Sequence, residues 1–320
     1  MAVAARTPRR RTGANESLST WRPADRIALA ACWVCGVGLC LVAAAIVIFM
    51  LVKGLQFLDV RLLVERPIAG ADQSSSGGFL DPLVGTLLLT VLGTLLALPL
   101  GVAIAVWVVE YGRPSWLART VESAVEVIAG TPSIVLAIFG LLLFQQQILA
   151  FLSFSAAGGA VFGRSFFAAG AMMSLLALPL VFTSTREALQ GVPRHVREAS
   201  YALGKTRIST IRRVLLPASR PGIATGAALG MGRIAGDTAI VVILLGATLQ
   251  LQSAGGPPLI RDLKGTGSTL TSYVYNNSPA GEGNAAGKAY AAAFVLLVIV
   301  IGLNFAIDRI SRRGSARWKS

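Results

Sequence analysis

Histidine and cysteine are scarce in this sequence of 320 residues, and their scarcity limits the chemistry that the chain can perform. The one histidine, His195, stands in a basic segment, where a lone imidazole is more often a solvated surface residue than a ligand or a base. The three cysteines, Cys32, Cys35 and Cys40, fall in one apolar segment with no fourth ligand nearby, so we interpret them as small membrane residues. No metal site is expected.

Catalytic signatures are missing as well. The sequence contains no G-x-x-x-x-G-K-[ST] phosphate-binding loop, no G-x-S-x-G and no H-x-x-H. The sequence therefore gives little support for a membrane hydrolase or a metalloenzyme. We predict a chain that is not an enzyme and binds no cofactor of its own.

Charged residues are also few, while long apolar runs are frequent. Only 14% of the residues are charged, against about a quarter in an ordinary soluble domain. Hydrophobic residues make up 54%, and the mean hydropathy of +0.67 places the chain in the membrane class. A bilayer core needs roughly 20 apolar residues in a helix. We predict an all-α integral membrane protein with six spans, near Ile27–Leu51, Leu83–Val109, Val121–Phe144, Phe166–Thr183, Ile223–Leu249 and Ala289–Ile307.

The basic residues indicate an orientation, because Lys and Arg are enriched on the cytoplasmic side of a membrane. If the N-terminus is cytoplasmic, the inner segments hold 21 Lys and Arg, the outer segments hold 7, and Arg233 lies inside a span. Both termini are therefore expected in the cytoplasm. The predicted organisation is a basic tail (1–26), a transmembrane domain (27–308) and a second basic tail (309–320).

Prolines and glycines mark expected interruptions. Pro99, Pro132 and Pro179 lie inside predicted spans, where proline removes a backbone hydrogen bond and commonly kinks a helix. The outer connection from Gln250 to Lys288 contains GGPP and NNSPAGEGN, which favour turns. No folded domain is predicted there.

The inner segment EASYALGKTRISTIRRVLLP, from Glu198 to Pro217, is amphipathic and carries several basic residues against one glutamate. Pro193 suits the first turn of a helix, and Gly204 is typical of a helix end. Apolar stripes at helical spacing lie on either side of Gly204, the second one ending at Pro217 (Val196, Ala199, Leu203; Ile208, Ile211, Val214, Leu215). We predict two short helices joined by a glycine turn. Such a hairpin suits either anionic lipid headgroups or a groove on a cytoplasmic partner.

This segment resembles the cytoplasmic EAA loop of ABC importer permeases, whose pattern is E-A-A, three residues, G, nine residues, I-x-L-P. Ser replaces the second Ala, and Val replaces Ile. The matching positions are Glu198, Ala199, Ser200, Gly204, Val214, Leu216 and Pro217. The resemblance implies that the loop, about residues 185–220, inserts into a cleft of a separate ATP-binding subunit and transmits its closure to the spans.

Further stretches resemble the PstA type of phosphate importer permease, and PstC-type permeases share much of the pattern. These stretches are VEYG at 109–112, GTPSIV at 130–135, TREALQGVPRHVREASYALG at 185–204 and RIAGDTAIVVILLG at 233–246. The resemblance implies the six-helix type I importer permease fold in a bacterial or archaeal inner membrane. It also implies a PstB-like ATPase that carries ATP and Mg, a PstC-like second permease and a PstS-like phosphate-binding protein.

Two polar positions in the fifth predicted span are candidates for the translocation pathway. Arg233 and Asp237 are four residues apart on one face of a helix, where we expect them to pair. The pair could be structural, or Asp237 could hold a guanidinium that donates two parallel hydrogen bonds to phosphate. The resemblance implies Glu at the second position, so Asp is a departure.

Thr131 and Ser133, on either side of Pro132, are further candidates as pathway hydroxyls. Local satisfaction of a proline kink is the alternative for both residues.

Other functions remain open. Within the ABC class, the substrate could be another oxyanion such as sulfate, molybdate or phosphonate, and the second permease could be an identical chain. An ATP-independent channel or secondary transporter, or a membrane-anchored scaffold, belongs to a different class. A channel gives no reason for the EAA spacing.

Overall fold

The computed structural model describes residues 22–68, 77–112, 114–152, 163–246, 249, 251, 263–281 and 285–316. These residues are mainly helical, which confirms the predicted all-α class. The helices are α1 (Pro23–Phe57), α2 (Val60–Val64), α3 (Leu80–Val106), α4 (Ser115–Gly130), α5 (Ser133–Phe144), α6 (Phe166–Gln190), α7 (Arg194–Ala202), α8 (Arg207–Thr210), α9 (Leu216–Ala218), α10 (Arg220–Gly236), α11 (Ala239–Leu244), α12 (Leu270–Asn277) and α13 (Ala286–Ala316). Trp107–Tyr111 and Ile211–Leu215 form π-helical turns, and Gln147–Leu152 forms a 3-10 helix.

The chain divides into two compact units, residues 1–52 and 53–320. The described part of the first unit belongs to α1, in which large apolar side chains such as Trp33 and Leu39 are exposed. A helix that is apolar all round without burial suits a lipid environment. The first predicted span is therefore helical as expected. Residues 1–21 of the predicted basic tail lie outside the described residues.

Two of the six predicted spans are interrupted in the structure, the third at Thr131–Pro132 and the fifth at Asp237. Among the described residues, four helices are long and apolar enough to cross a membrane, or five segments if the bent pair α4 and α5 counts as one. That pair bends by 104° where Thr131 and Pro132 leave the helix. Thr131 has an extended backbone (φ −76°, ψ 129°), the conformation that a following proline favours. Pro99 and Pro179, in contrast, lie inside continuous helices.

The fifth predicted span, Ile223–Leu249, is divided into α10 of 17 residues and α11 of 6 residues. Asp237 interrupts the helix with an extended backbone (φ −81°, ψ 130°). Its Oδ1 accepts a hydrogen bond of 3.0 Å from the N–H of Ile240 in the first turn of α11. A carboxylate that caps a new helix competes with continuation of the old one, which gives the break a physical cause.

Helix α6 is the centre of the second unit and packs against α3, α5 and α10. Its buried side chains, among them Met172, Met173 and Val181, form the main apolar core with residues of α3, α5, α10 and α11. Small residues allow close approach of the backbones, as is common between membrane helices. A Cβ on Gly226 of α10 would lie 3.0 Å from Cα of Val181 and 3.1 Å from Cβ of Ser184.

A helix that the sequence did not indicate, α12, lies within the connection after α11. The hydroxyls of Thr269 and Ser272 cap its first turn reciprocally, and Thr86 of α3 accepts a hydrogen bond of 2.8 Å from the N–H of Leu270. Tyr273 packs on Phe79 with ring centroids 5.9 Å apart. These contacts fix the N-terminal end of α3 to α12.

We expect Gly226→Val to destabilise the fold by about 1–3 kcal/mol, because the new side chain would force α10 away from α6. Gly232→Val in the same helix is the matched control, since a Cβ there meets nothing within 4 Å. Denaturation of the purified chain in detergent micelles measures both variants. Equal loss of stability in the two variants would contradict the proposed close contact.

Candidate coupling hairpin and translocation residues

The segment predicted as a helical hairpin forms one. Helix α7 follows Pro193 and ends at Ala202, and Gly204 adopts the left-handed conformation (φ +72°) that lets the chain reverse. Thr206 begins α8, and its hydroxyl accepts a hydrogen bond of 3.3 Å from the N–H of Ser209. The two-helix prediction with a glycine turn is confirmed.

The end of the second helix differs from the prediction. Pro217 does not stop the helix, because the chain stays helical through Leu216–Ala218 after a π-helical turn at Ile211–Leu215. Proline is tolerated in the first turn of a new helical segment, where its missing N–H has no partner to lose. The following helix, α10, begins at Arg220.

The seven matching positions of the EAA pattern differ in their exposure to solvent. Glu198, Ala199 and Gly204 are exposed, whereas Ser200 is buried. The hydroxyl of Ser200 lies 2.8 Å from that of Thr210 and joins α7 to α8 in a buried hydrogen bond. The remaining three positions are half-buried (Val214, Leu216, Pro217). The pattern thus combines a surface with the contacts that hold the hairpin closed.

Large apolar side chains are exposed around the glycine turn. Leu203 is 79% exposed, Ile208 is 72% exposed, and Tyr201 is also exposed. We call these three residues the apolar tip. The sequence placed Leu203 in the same stripe as Val196, but only Val196 turns inward, where it packs against an apolar cluster that contains Ile211 and Leu215.

Two arginines of the hairpin contact the end of α3, and the sequence did not indicate this junction. Arg197 of α7 and Arg207 of α8 both reach Glu110 in the π-helical turn after α3. A cleft of about 930 Å³ lies beside these residues, between α4 and α7. The only signal was that Glu110 falls in VEYG, a stretch that carried the family resemblance.

The predicted pairing of Arg233 with Asp237 was wrong. Within the described residues no ion pair joins them, because α10 ends at Gly236 and the spacing of four residues no longer places both on one helical face. Asp237 is buried and caps α11, whereas Arg233 is exposed. The hydroxyl of Thr271, in α12, lies 3.4 Å from the carbonyl of Asp237.

Thr131 and Ser133 lie at the bend between α4 and α5. The Thr131 hydroxyl donates a hydrogen bond of 2.8 Å to the carbonyl of Val127, which is the local satisfaction expected near a proline. Ser133 is the first residue of α5 and is half-buried. Among the described residues, no hydrogen bond connects either hydroxyl to Arg233 or Asp237.

His195 is exposed on α7, as its interpretation as a surface residue predicted. Among the described residues, no group of three His, Cys, Asp or Glu side chains is placed to hold a metal ion.

Comparison with known sequences and structures relates most of the second unit to transport proteins. Residues 97–316 match the family described as binding-protein-dependent transport system inner membrane component. The phosphate transport system permease protein PstA of Mycobacterium leprae is 34% identical over 229 residues, 72% of this chain and 69% of the relative. The probable ABC transporter permease protein YqgH of Bacillus subtilis is 34% identical over 212 residues, 64% of this chain and 66% of the relative.

A second phosphate permease type and two solved structures are also similar. PstC of Pasteurella multocida is 33% identical over 190 residues, 55% of this chain and 59% of the relative. A bacterial alginate ABC transporter in complex with a pentasaccharide-bound periplasmic protein matches with a TM-score of 0.60 at 16% identity, over 91% of this chain and 96% of that chain. The inward-facing MetNI methionine ABC transporter matches with a TM-score of 0.57 at 21% identity, over 74% and 95% respectively. At these identities the two structures support the fold alone.

We expect Gly204→Ala to loosen the hairpin turn, because a side chain in the left-handed region costs about 1–2 kcal/mol. Amide hydrogen exchange at Lys205, whose N–H donates to the Ser200 carbonyl, should accelerate roughly 5- to 30-fold. Gly191→Ala is the control, since Gly191 has an ordinary φ of −66°. Unchanged exchange at Lys205 in the Gly204 variant would contradict a strained turn.

Proposed function

Because the chain belongs to the family of binding-protein-dependent transport system inner membrane components, we propose that it is one permease half of an ATP-driven importer of inorganic phosphate. Permeases of this family are multi-pass inner membrane proteins and are not enzymes. The assignment to phosphate is supported by the relatives named PstA and PstC, at 34% and 33% identity. A PstA alignment of 229 residues is 34% identical, whereas a PstC alignment of 249 residues is 29% identical, and this difference supports the PstA type.

The observation that carries the proposed mechanism is the apolar tip of the hairpin. Leu203 and Ile208 stand exposed on a compact, basic two-helix projection, and water-exposed apolar side chains of this size commonly mark a protein interface. We assign the tip to a groove on a PstB-like ATPase, which binds the ATP and Mg. The excess of Lys and Arg in the inner segments supports a cytoplasmic location for the hairpin and both termini.

The other partners follow from the same proposal. An extracytoplasmic PstS-like protein delivers phosphate, and a PstC-like second permease completes the pathway. Closure of the ATPase subunits displaces the hairpin, and the spans alternate between outward-open and inward-open states.

Docking at the apolar tip predicts that Leu203→Asp weakens retention of the ATPase by about tenfold or more, as for a central interface residue. Tyr275→Asp is the control, because Tyr275 is also an exposed, large apolar side chain but lies on α12, on the other side of the span formed by α10 and α11. Co-purification from membranes that contain both chains measures retention. Full retention by the Leu203 variant would favour a hairpin that lies on lipid headgroups.

Arg233 is the proposed phosphate contact. Its guanidinium is exposed inside a predicted span, and a charge at that depth is costly unless it faces a bundle interior or an aqueous path. Asp237 does not neutralise it, so the full positive charge is presented to the pathway. Thr131 and Ser133, at the bend of the neighbouring span, are proposed as secondary hydroxyl contacts.

We expect Arg233→Gln to lower phosphate uptake into vesicles by roughly 10- to 100-fold, the loss of a charge-assisted hydrogen bond. Arg233→Lys should retain part of the uptake, because it keeps the charge without the planar fork. Equal amounts of assembled importer in the membrane are the control. Undiminished uptake by the Arg233→Gln variant would contradict a role of Arg233 in the pathway. Inhibition of phosphate uptake by sulfate, molybdate or phosphonate would change the assigned substrate to another oxyanion.

A further inference from the structure

The junction between the hairpin and the end of α3 contains an unusually complete set of contacts for one guanidinium. Arg197 donates from Nε to Glu110 Oε1 at 3.1 Å, from one terminal nitrogen to the Val192 carbonyl at 2.7 Å and from the other to the Leu189 carbonyl at 2.6 Å. The side chains of Arg197 and Glu110 are only 17% and 8% exposed. This burial separates the pair from ordinary surface ion pairs, which contribute little.

The three acceptors belong to two parts of the fold. Leu189 lies in the last turn of α6 and Val192 just after that helix, where carbonyl groups lack the regular helical partner, and Glu110 lies in the π-helical turn after α3. Arg197 itself belongs to α7 of the hairpin. One planar fork thus joins the hairpin to the ends of two spans, a geometry that the single ammonium of lysine does not reproduce.

The second helix of the hairpin contacts the same π-helical turn after α3. Arg207 donates to the carbonyl of Glu110 at 3.1 Å, and its guanidinium carbon lies 5.3 Å from the centroid of the Tyr111 ring. Both helices of the hairpin therefore contact Glu110, and α8 also contacts Tyr111. The turn that they hold has a π-helical conformation, which is concentrated at functional sites in proteins.

The connections of the chain determine which spans can follow a movement of the hairpin through the backbone alone. The hairpin continues directly into α6 through Gly191–Pro193 and into α10 after α9, so movement reaches those spans through the backbone. Helix α3 is separated from the hairpin by 87 residues between Glu110 and Arg197, and it has no such connection. Non-covalent contacts must carry any movement of the hairpin to α3.

We propose that Glu110 is a positioning residue for transport: together with Arg197 and Arg207 it fastens α3 to the hairpin, so that displacement by the ATPase moves α3, α6 and α10 together. The inference rests on the proposed coupling role of the hairpin. It assigns Glu110 no contact with phosphate, and it differs from docking because the junction faces the spans and not the apolar tip.

The test uses the complete importer, with its ATPase, second permease and binding protein, in proteoliposomes. Phosphate uptake and ATP hydrolysis are measured together for two variants, Glu110→Gln and Arg207→Ala. The Arg207→Ala variant loosens the same turn but leaves the buried pair of Arg197 and Glu110 intact. We expect phosphate moved per ATP hydrolysed to fall about tenfold, a typical coupling between sites, while ATPase retention stays unchanged. The control is Glu126→Gln, which removes an exposed carboxylate of α4 outside the cleft.

A distance measurement provides a readout that does not depend on the substrate. Spin labels are placed at His195→Cys on α7 and Leu100→Cys on α3, both exposed positions, after Cys32, Cys35 and Cys40 are replaced by serine. We expect the distance between the labels to stay constant when ATP binds to the native importer, and to change in Glu110→Gln. A constant distance in both proteins, or an unchanged ratio of transport to hydrolysis, would overturn the positioning role.

The two proposals fail in different ways. If the hairpin does not dock on the ATPase, the Leu203→Asp variant retains the ATPase, and ATP changes the distance between the labels in neither protein. If docking is correct but the junction is not a mechanical link, ATPase retention depends on Leu203, and Glu110→Gln moves phosphate with native efficiency.

Discussion

The close packing of α6 against α3 and α10 is the constraint on which the rest of the fold depends. In lipid there is little hydrophobic driving force between helices, so van der Waals contact between closely spaced backbones has to hold them together. Glycines at the contact permit this approach, such as Gly226 against the backbone of Val181 and Gly101 against the Val181 side chain. Because α6 runs without a break from Phe166 to Gln190, it provides a continuous support for the interrupted segments around it.

The hairpin depends on that support at its base and is independent of it at its tip. Arg197 caps the end of α6, and Ile211 and Leu215 are buried in the same apolar cluster as Leu189. Leu203 and Ile208, beside the turn at the other end of the same hairpin, are exposed. A projection with a rigid base and an unpartnered apolar end is suited to transmit movement, since the base determines where the tip can go.

Local features of the sequence were reliable where the chain decides its structure over a few residues. Gly204 indicated the turn because a left-handed conformation is available to glycine at little cost, and the apolar runs indicated helices because lipid tolerates few alternatives. The Arg233–Asp237 pair failed because a competing local contact decides there: Asp237 caps the N–H of Ile240 and the helix ends before it. Other features were missed because distant contacts decide them, and Glu110 meets Arg197 across 87 residues, which no local pattern encodes. Helix α12 was missed for the same reason, since Thr86 and Phe79 of distant segments stabilise it.

The two interruptions in the spans have a common location. The bend at Thr131–Pro132 precedes α5, the break at Asp237 precedes α11, and these two half-helices pack against each other through contacts such as Gly140 with Leu244. Irregular backbone at membrane depth is tolerated where it is buried in protein or lines a water-filled cavity. Pro132 is exposed in the single chain, so lipid is an unsuitable neighbour for this bend. An aqueous path or a second protein chain meets this requirement. This supports the proposal that Thr131, Ser133 and Arg233 belong to one functional region, although no hydrogen bond joins the two hydroxyls to Arg233 within the described residues.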